Sequence, residues 1–107
     1  MIDRETAEQI VENYFTDYAS KIGLDDEIVV LKEHTIEKEY GWVFFYDTRK
    51  HLETGNVSYA LIGGGPIVVE RKDGSLYFLG SAWGLEEAIR RYEERRAQDI
   101  STGKPSM

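Results

Sequence analysis

The chain has no cysteine, which excludes disulfide staples, thiol nucleophiles, iron–sulfur clusters and cysteine-type zinc sites. It also lacks long hydrophobic runs. Stretches such as Ala60 to Ile62 and Trp42 to Tyr46 fall far short of the roughly 20 apolar residues that cross a bilayer, so no membrane partner is expected. The opening Met1-Ile2-Asp3-Arg4-Glu5 is polar and acidic, where a secretory signal needs a basic start and then an apolar run. A cytoplasmic location is therefore expected. Positive charge is in deficit too. Thirteen Lys and Arg face 20 Asp and Glu, a formal net charge of −7, and no nucleic-acid partner is expected because neutralising phosphates takes a cationic footprint. Histidine is scarce, with His34 and His51 the only two. They form no helical pair, His51 sits amid Arg49 and Lys50, and neither a metal nor any other cofactor is expected.

What remains is 107 residues, 41% of them hydrophobic. A domain of this size buries only about 60–65% of its unfolded-chain surface, so one compact core must serve. The negative charge is unevenly spread. Through Tyr40 there are eleven acids and four bases, and from Gly41 onward there are nine of each. The whole surplus lies in the first 40 residues, which favours a directional field over uniform solubilisation.

The spacing predicts a first helix of about 18 residues with Asp3 as N-cap and Gly23 as its left-handed stop. Ala7, Ile10, Val11, Tyr14, Phe15, Tyr18 and Ile22 fall at steps of three and four, an apolar underside opposite an acidic back of Glu5, Glu8 and Glu12. A strand is expected from Ile28 to about Ile36, then a turn at Glu37-Lys38-Glu39. The next strand, Trp42 to Tyr46, is apolar at every position, as in a central strand covered on both sides. Thr48 to Glu53 reads as a helical turn, and Asn56 to Gly65 as an irregular excursion. Ile67 to Arg71 and Ser75 to Leu79 read as a hairpin whose Asp73-Gly74 supplies positive φ angles.

A last helix runs from Leu85 to about Arg96, with Glu86–Arg90 and Glu87–Arg91 at ion-pair spacing. The expected fold is α+β: N-terminal helix, four-stranded antiparallel sheet, C-terminal helix. Residues 1–97 are expected to form a single domain and 98–107 a disordered tail. Both helices are placed on the same sheet face, leaving the other to the Asn56–Gly65 excursion or to a partner.

No arrangement of residues supports catalysis. Gly80-Ser81-Ala82-Trp83-Gly84 lacks the register of a serine nucleophile elbow. Gly63-Gly64-Gly65-Pro66 precedes a strand rather than a helix, so it cannot cradle a phosphate at a helix N-terminus. A close backbone approach or a bulge accounts for these glycines better. The adjacent acids Asp25-Asp26, and the pair Glu37 and Glu39, read as solvated turn residues rather than an acid–base pair. The protein is not expected to be an enzyme.

Two Trp, seven Tyr and four Phe are more aromatics than so small a core can bury. Tyr59 and Trp83, in loops, and Tyr40, at a turn, are the candidates for exposure, where such residues serve protein interfaces. With Glu5, Glu8, Glu12, Glu37 and Glu39 they make the expected partner-binding set, suited to a basic protein. A homodimer is a further possibility for the uncovered sheet face.

The order of Gly41-Trp42-Val43-Phe44-Phe45-Tyr46, Arg49 to Gly55, Gly64-Gly65-Pro66-Ile67-Val68-Val69, Asp73-Gly74, Leu79-Gly80 and a final Leu85-Glu86-Glu87 helix resembles the immunity protein 35 family, the YrhB-type domain. The resemblance implies a small bacterial α+β protein encoded beside a polymorphic toxin, which it neutralises by direct binding. It also implies an important tryptophan, placed at Trp42, and defined turns at Pro66 and Gly74. On the residues themselves, Trp42, Gly65, Pro66, Gly74 and Gly80 are expected to be structural. The alternative function is an ATP-independent, chaperone-like or stress-related binding protein.

Overall fold

A computed structural model describes residues 1–56, 65–80 and 83–101, with side chains through Gln98. The expected site residue Tyr59 lies outside the described residues. The first helix, α1, spans Arg4–Ile22. The Asp3 carboxylate accepts from the Thr6 N–H at 2.8 Å and caps its start. At its end Gly23 turns left-handed with φ 67°, the Gly23 N–H reaches the Ser20 carbonyl, and the Leu24 N–H reaches that of Ala19. These paired bonds satisfy carbonyls that the helix leaves open.

Six strands follow: β1 Ile28–Val30, β2 Ile36–Lys38, β3 Gly41–Phe44, β4 Tyr46–Thr48, β5 Ile67–Glu70 and β6 Leu76–Phe78, with the short helix α2, Arg49–Thr54, after β4. They form an antiparallel four-stranded sheet in the order β2-β3-β5-β6 and an antiparallel pair, β1-β4. The last helix, α3, spans Leu85–Ser101, running past the expected end near Arg96. The class is α+β, with an N-terminal helix, antiparallel strands and a C-terminal helix.

The expected strand from Ile28 to Ile36 is in fact divided. A 3₁₀ turn at Lys32–His34 interrupts it, so β1 pairs with β4 and β2 with β3. Glu37 and Lys38, expected in a turn, belong to β2, and the chain reverses at Glu39 and Tyr40. The aromatic run is likewise shared between β3 and β4, which part at Phe45. Side chains keep alternating through the bend. Trp42, Phe44 and Tyr46 join the core under α1, while Val43 and Phe45 join the cluster under α3.

That alternation corrects the placement of the helices. Ala7, Val11 and Phe15 of α1 pack with Trp42, Phe44, Ile67 and Val69. Ile89 and Tyr92 of α3 pack with Val43 and Val68 on the opposite side. The helices therefore cover opposite faces. Every residue of β3 and β5 is buried, and a strand pair apolar on both sides requires a layer on each.

The hairpin after β5 also departs from expectation. Its loop runs from Arg71 to Gly74, closed by Gly74 N–H to Glu70 carbonyl at 2.8 Å and Glu70 N–H to Ser75 carbonyl at 2.9 Å. Only Gly74 has positive φ, at 76°. Asp73 keeps a negative φ and uses its carboxylate to accept the Ser75 N–H at 3.0 Å. On α3, Arg91 binds Glu87 at 2.9 Å as expected, but Arg90 binds Glu87 and Glu94 rather than Glu86.

Gly65 and Gly80 meet backbone to backbone just outside the β5–β6 pair. A Cβ on Gly65, whose φ is 66°, would stand 2.1 Å from the Gly80 carbonyl oxygen. Beside it the Leu79 N–H donates to the Pro66 carbonyl at 2.9 Å. Gly55 has a similar φ of 68° with nothing within 4 Å of a Cβ. Gly55→Ala is therefore expected to cost about 1–2 kcal/mol, the left-handed penalty alone, and Gly65→Ala clearly more. Urea denaturation of the two variants checks the difference.

Candidate interaction surface

The α3 face is organised around a buried carboxylate. β5 alternates its side chains between the faces, so Glu70 follows Val68 onto the α3 side and is only 2% exposed. A buried charge must be paired. Arg96 meets it with two hydrogen bonds, Nε at 2.8 Å and Nη2 at 2.9 Å, and the Tyr92 hydroxyl donates to the same carboxylate. The bond to Glu70 holds the Arg96 pKa above its ordinary value. Burial first, and then the bond to Glu70, push that of Tyr92 well up.

Tyr40 belongs to this network. Its ring lies 5.7 Å from that of Tyr92 and carries the Arg96 guanidinium 4.4 Å above it. Its hydroxyl donates to Glu93 at 2.8 Å, and Lys38 binds Glu93 at 3.4 Å. Burial and the Glu93 bond raise its pKa strongly. Expected as an exposed aromatic, Tyr40 is half-buried, because the turn at Glu39–Tyr40 directs it under α3. Trp83 is exposed as expected, at 51%, with the Arg91 guanidinium 3.9 Å from its ring centroid.

The five acids separate into two kinds. Glu8 pairs with Arg4 at 3.1 Å, Glu12 with Lys32 at 3.2 Å and Glu37 with Arg71 at 3.5 Å. Glu5 and Glu39 are exposed and make no ion pair among the described residues. Arg71 comes from the second half of the chain. It also donates to the carbonyls of Lys38 at 2.9 Å and Glu39 at 3.2 Å, and lies 4.4 Å over the buried Trp42 ring. The acid surplus along the sequence is thus partly answered in space by a distant cation. Glu5, Glu8 and Glu12 ride on α1, whereas Tyr40 packs under α3, so the expected residues divide between the two sides of the sheet.

Another surface escaped the sequence reading. Tyr14, Tyr18 and Phe78 are 37%, 38% and 42% exposed. Tyr14 lies 5.7 Å from Phe78 and 6.4 Å from Tyr18, centroid to centroid, the two tyrosine rings within 10° of parallel. Tyr46 flanks them and donates its hydroxyl to the Gly65 carbonyl at 2.5 Å. Burial, then the neighbouring Tyr14 and Tyr18, pushes its pKa up to about 12. The available signal was the spacing of four along Ile10, Tyr14, Tyr18 and Ile22, a row beside the Ala7-Val11-Phe15 row that reaches the core.

A cleft of about 450 Å³ lies between α1 and β1, lined by Glu12, Phe15, Thr16, Asp26, Val29 and Lys32 among others. Elsewhere, His51 Nδ1 is 2.5 Å from the Asp47 carboxylate. Among the described residues no three His, Cys, Asp or Glu side chains gather to hold a metal, and no helix is long and apolar enough to cross a membrane.

These features define a three-layered α+β domain, the sheet lying between α1 and α3, with paired ions and aromatic rings on its described surface. The chain belongs to the immunity protein 35 family, which it matches over residues 5–95. It is also similar to an uncharacterized protein, YrhB, of Escherichia coli (strain K12), with 37% identity over 57 residues. That alignment covers 53% of this chain and 61% of the relative. No solved structure matches.

Removing one partner of a buried ion pair strands the other. Arg96→Ala is expected to destabilise the fold by about 3 kcal/mol, and the double variant Glu70→Leu with Arg96→Leu by less than that. Equilibrium unfolding of both variants measures the difference.

Proposed function

We propose that this protein is an immunity protein, a non-enzymatic cytoplasmic inhibitor that binds and neutralises a cognate bacterial toxin by direct contact. The observation that carries the reading is membership of the immunity protein 35 family over residues 5–95. The net charge of −7 adds the expectation that the toxin presents a basic surface, because complementary charge accelerates encounter and suppresses wrong partners. Of the five acids, Glu5 and Glu39 make no ion pair among the described residues, and Glu37 is held by the longest of the group's ion pairs. These three suit long-range steering, while the exposed Trp83 suits short-range contact.

Co-expression with the toxin domain encoded beside its gene tests the function. Cells are expected to survive, and a defined complex to co-purify. Failure to protect, together with suppressed aggregation of unrelated clients, would instead identify the ATP-independent chaperone-like role. Steering has its own readout. The triple variant Glu5→Lys, Glu37→Lys, Glu39→Lys is expected to associate with the toxin domain about tenfold or more slowly at low salt, with a flatter salt dependence. An unchanged association rate removes these acids from the encounter.

A further inference from the structure

The rings of this protein fall into two groups. Trp42, Trp83 and Tyr40 each carry a guanidinium of the protein's own, from Arg71, Arg91 and Arg96 respectively. Tyr14, Tyr18 and Phe78 have no such cation among the described residues, although all three are exposed and Tyr14 touches both of the others. Lys21, three residues beyond Tyr18, is engaged by Asp17 at 3.0 Å. The strip joins α1 to β6, the edge strand of the larger sheet.

We propose that the Tyr14–Tyr18–Phe78 strip is a docking surface for an arginine-bearing, basic segment of a partner protein. An aromatic face attracts a guanidinium through its quadrupole, and the aliphatic stem of an arginine lies well on apolar rims. The intramolecular pairs at Trp42, Trp83 and Tyr40 show this chain already using the contact. Charge complementarity supplies the partner's sign, since the chain carries −7 overall. Only the naming of that partner as the toxin rests on the immunity reading. The chemistry of the surface stands on the rings.

The test uses the full chain, an octa-arginine peptide as probe, and the variant Tyr14→Leu with Tyr18→Leu. Leucine retains apolar volume and helix propensity and leaves every charge in place, but it has no ring face. Wild type is expected to bind the peptide with shifts of the Tyr14, Tyr18 and Phe78 ring resonances. The double variant is expected to remain folded and to bind about tenfold more weakly. Equal peptide binding by wild type and the double variant would mean attraction by charge alone and would overturn the proposal.

The neighbouring toxin domain separates the two readings. If wild type ignores it yet binds the peptide through the strip, the immunity reading fails and the surface stands. If the toxin domain binds wild type and the double variant alike, the toxin is removed as the occupant of the strip and the immunity reading stands. Self-association of wild type that the double variant loses, with no peptide binding, would assign the strip to a second copy of this chain and overturn the proposal.

Discussion

Two adjacent strands buried on both faces impose most of this architecture. β3 and β5 present Trp42, Phe44, Ile67 and Val69 to one side and Val43 and Val68 to the other. A small domain with such a pair at its centre must supply two covering layers, and here the two terminal helices provide them. The helices then differ in how they are held. α1 meets the sheet through an apolar row, Ala7, Val11 and Phe15, whereas α3 adds the Glu70–Arg96 pair with Tyr92. Apolar contact is non-directional, but a bidentate guanidinium–carboxylate pair has a required geometry. The pair therefore selects the angle and register of α3 more sharply than burial does, and Tyr40 and Glu93 are aligned along with it.

Arginine is the recurring device on this surface. Arg71, Arg91 and Arg96 each satisfy an acceptor and cover a ring at once. A planar, weakly hydrated guanidinium suits both tasks, which an ammonium does not. The nine bases after Gly41 are thus not simply a balanced background to an acidic first half. Arg71 reaches back to Glu37, Lys38 and Glu39, and Arg49 reaches back to Glu27. The charge that a partner meets is what remains after these returns.

Local features were legible in the sequence. Asp3 and Gly23 announce their caps, the aromatic run announces a central strand, and Asp73-Gly74 announces a reversal. The ordered set of glycine, proline and aromatic positions announced the family. What was hidden depends on contacts between distant parts of the chain. Nothing near Glu70 reveals that Arg96, 26 residues on, will meet it. The side of the sheet on which α3 settles follows from the same contact, as does the burial of Tyr40. Helical periodicity places Tyr14 and Tyr18 on the apolar underside of α1 without saying how much of that arc the sheet can cover. Only a narrow sheet facing α1 decides that Phe15 goes in and its neighbours stay out.

The bend at Phe45 carries a consequence for how the molecule comes apart. β3 and β4 are one stretch of chain that serves the four-stranded sheet with its first half and the two-stranded sheet with its second. Val30 and Tyr46 from the small sheet sit in or against the same cluster as Trp42 and Phe44 from the large one. Loosening the β1–β4 ribbon therefore pulls on the central strand. Shared packing of this kind makes the ribbon an extension of the core rather than an appendage to it.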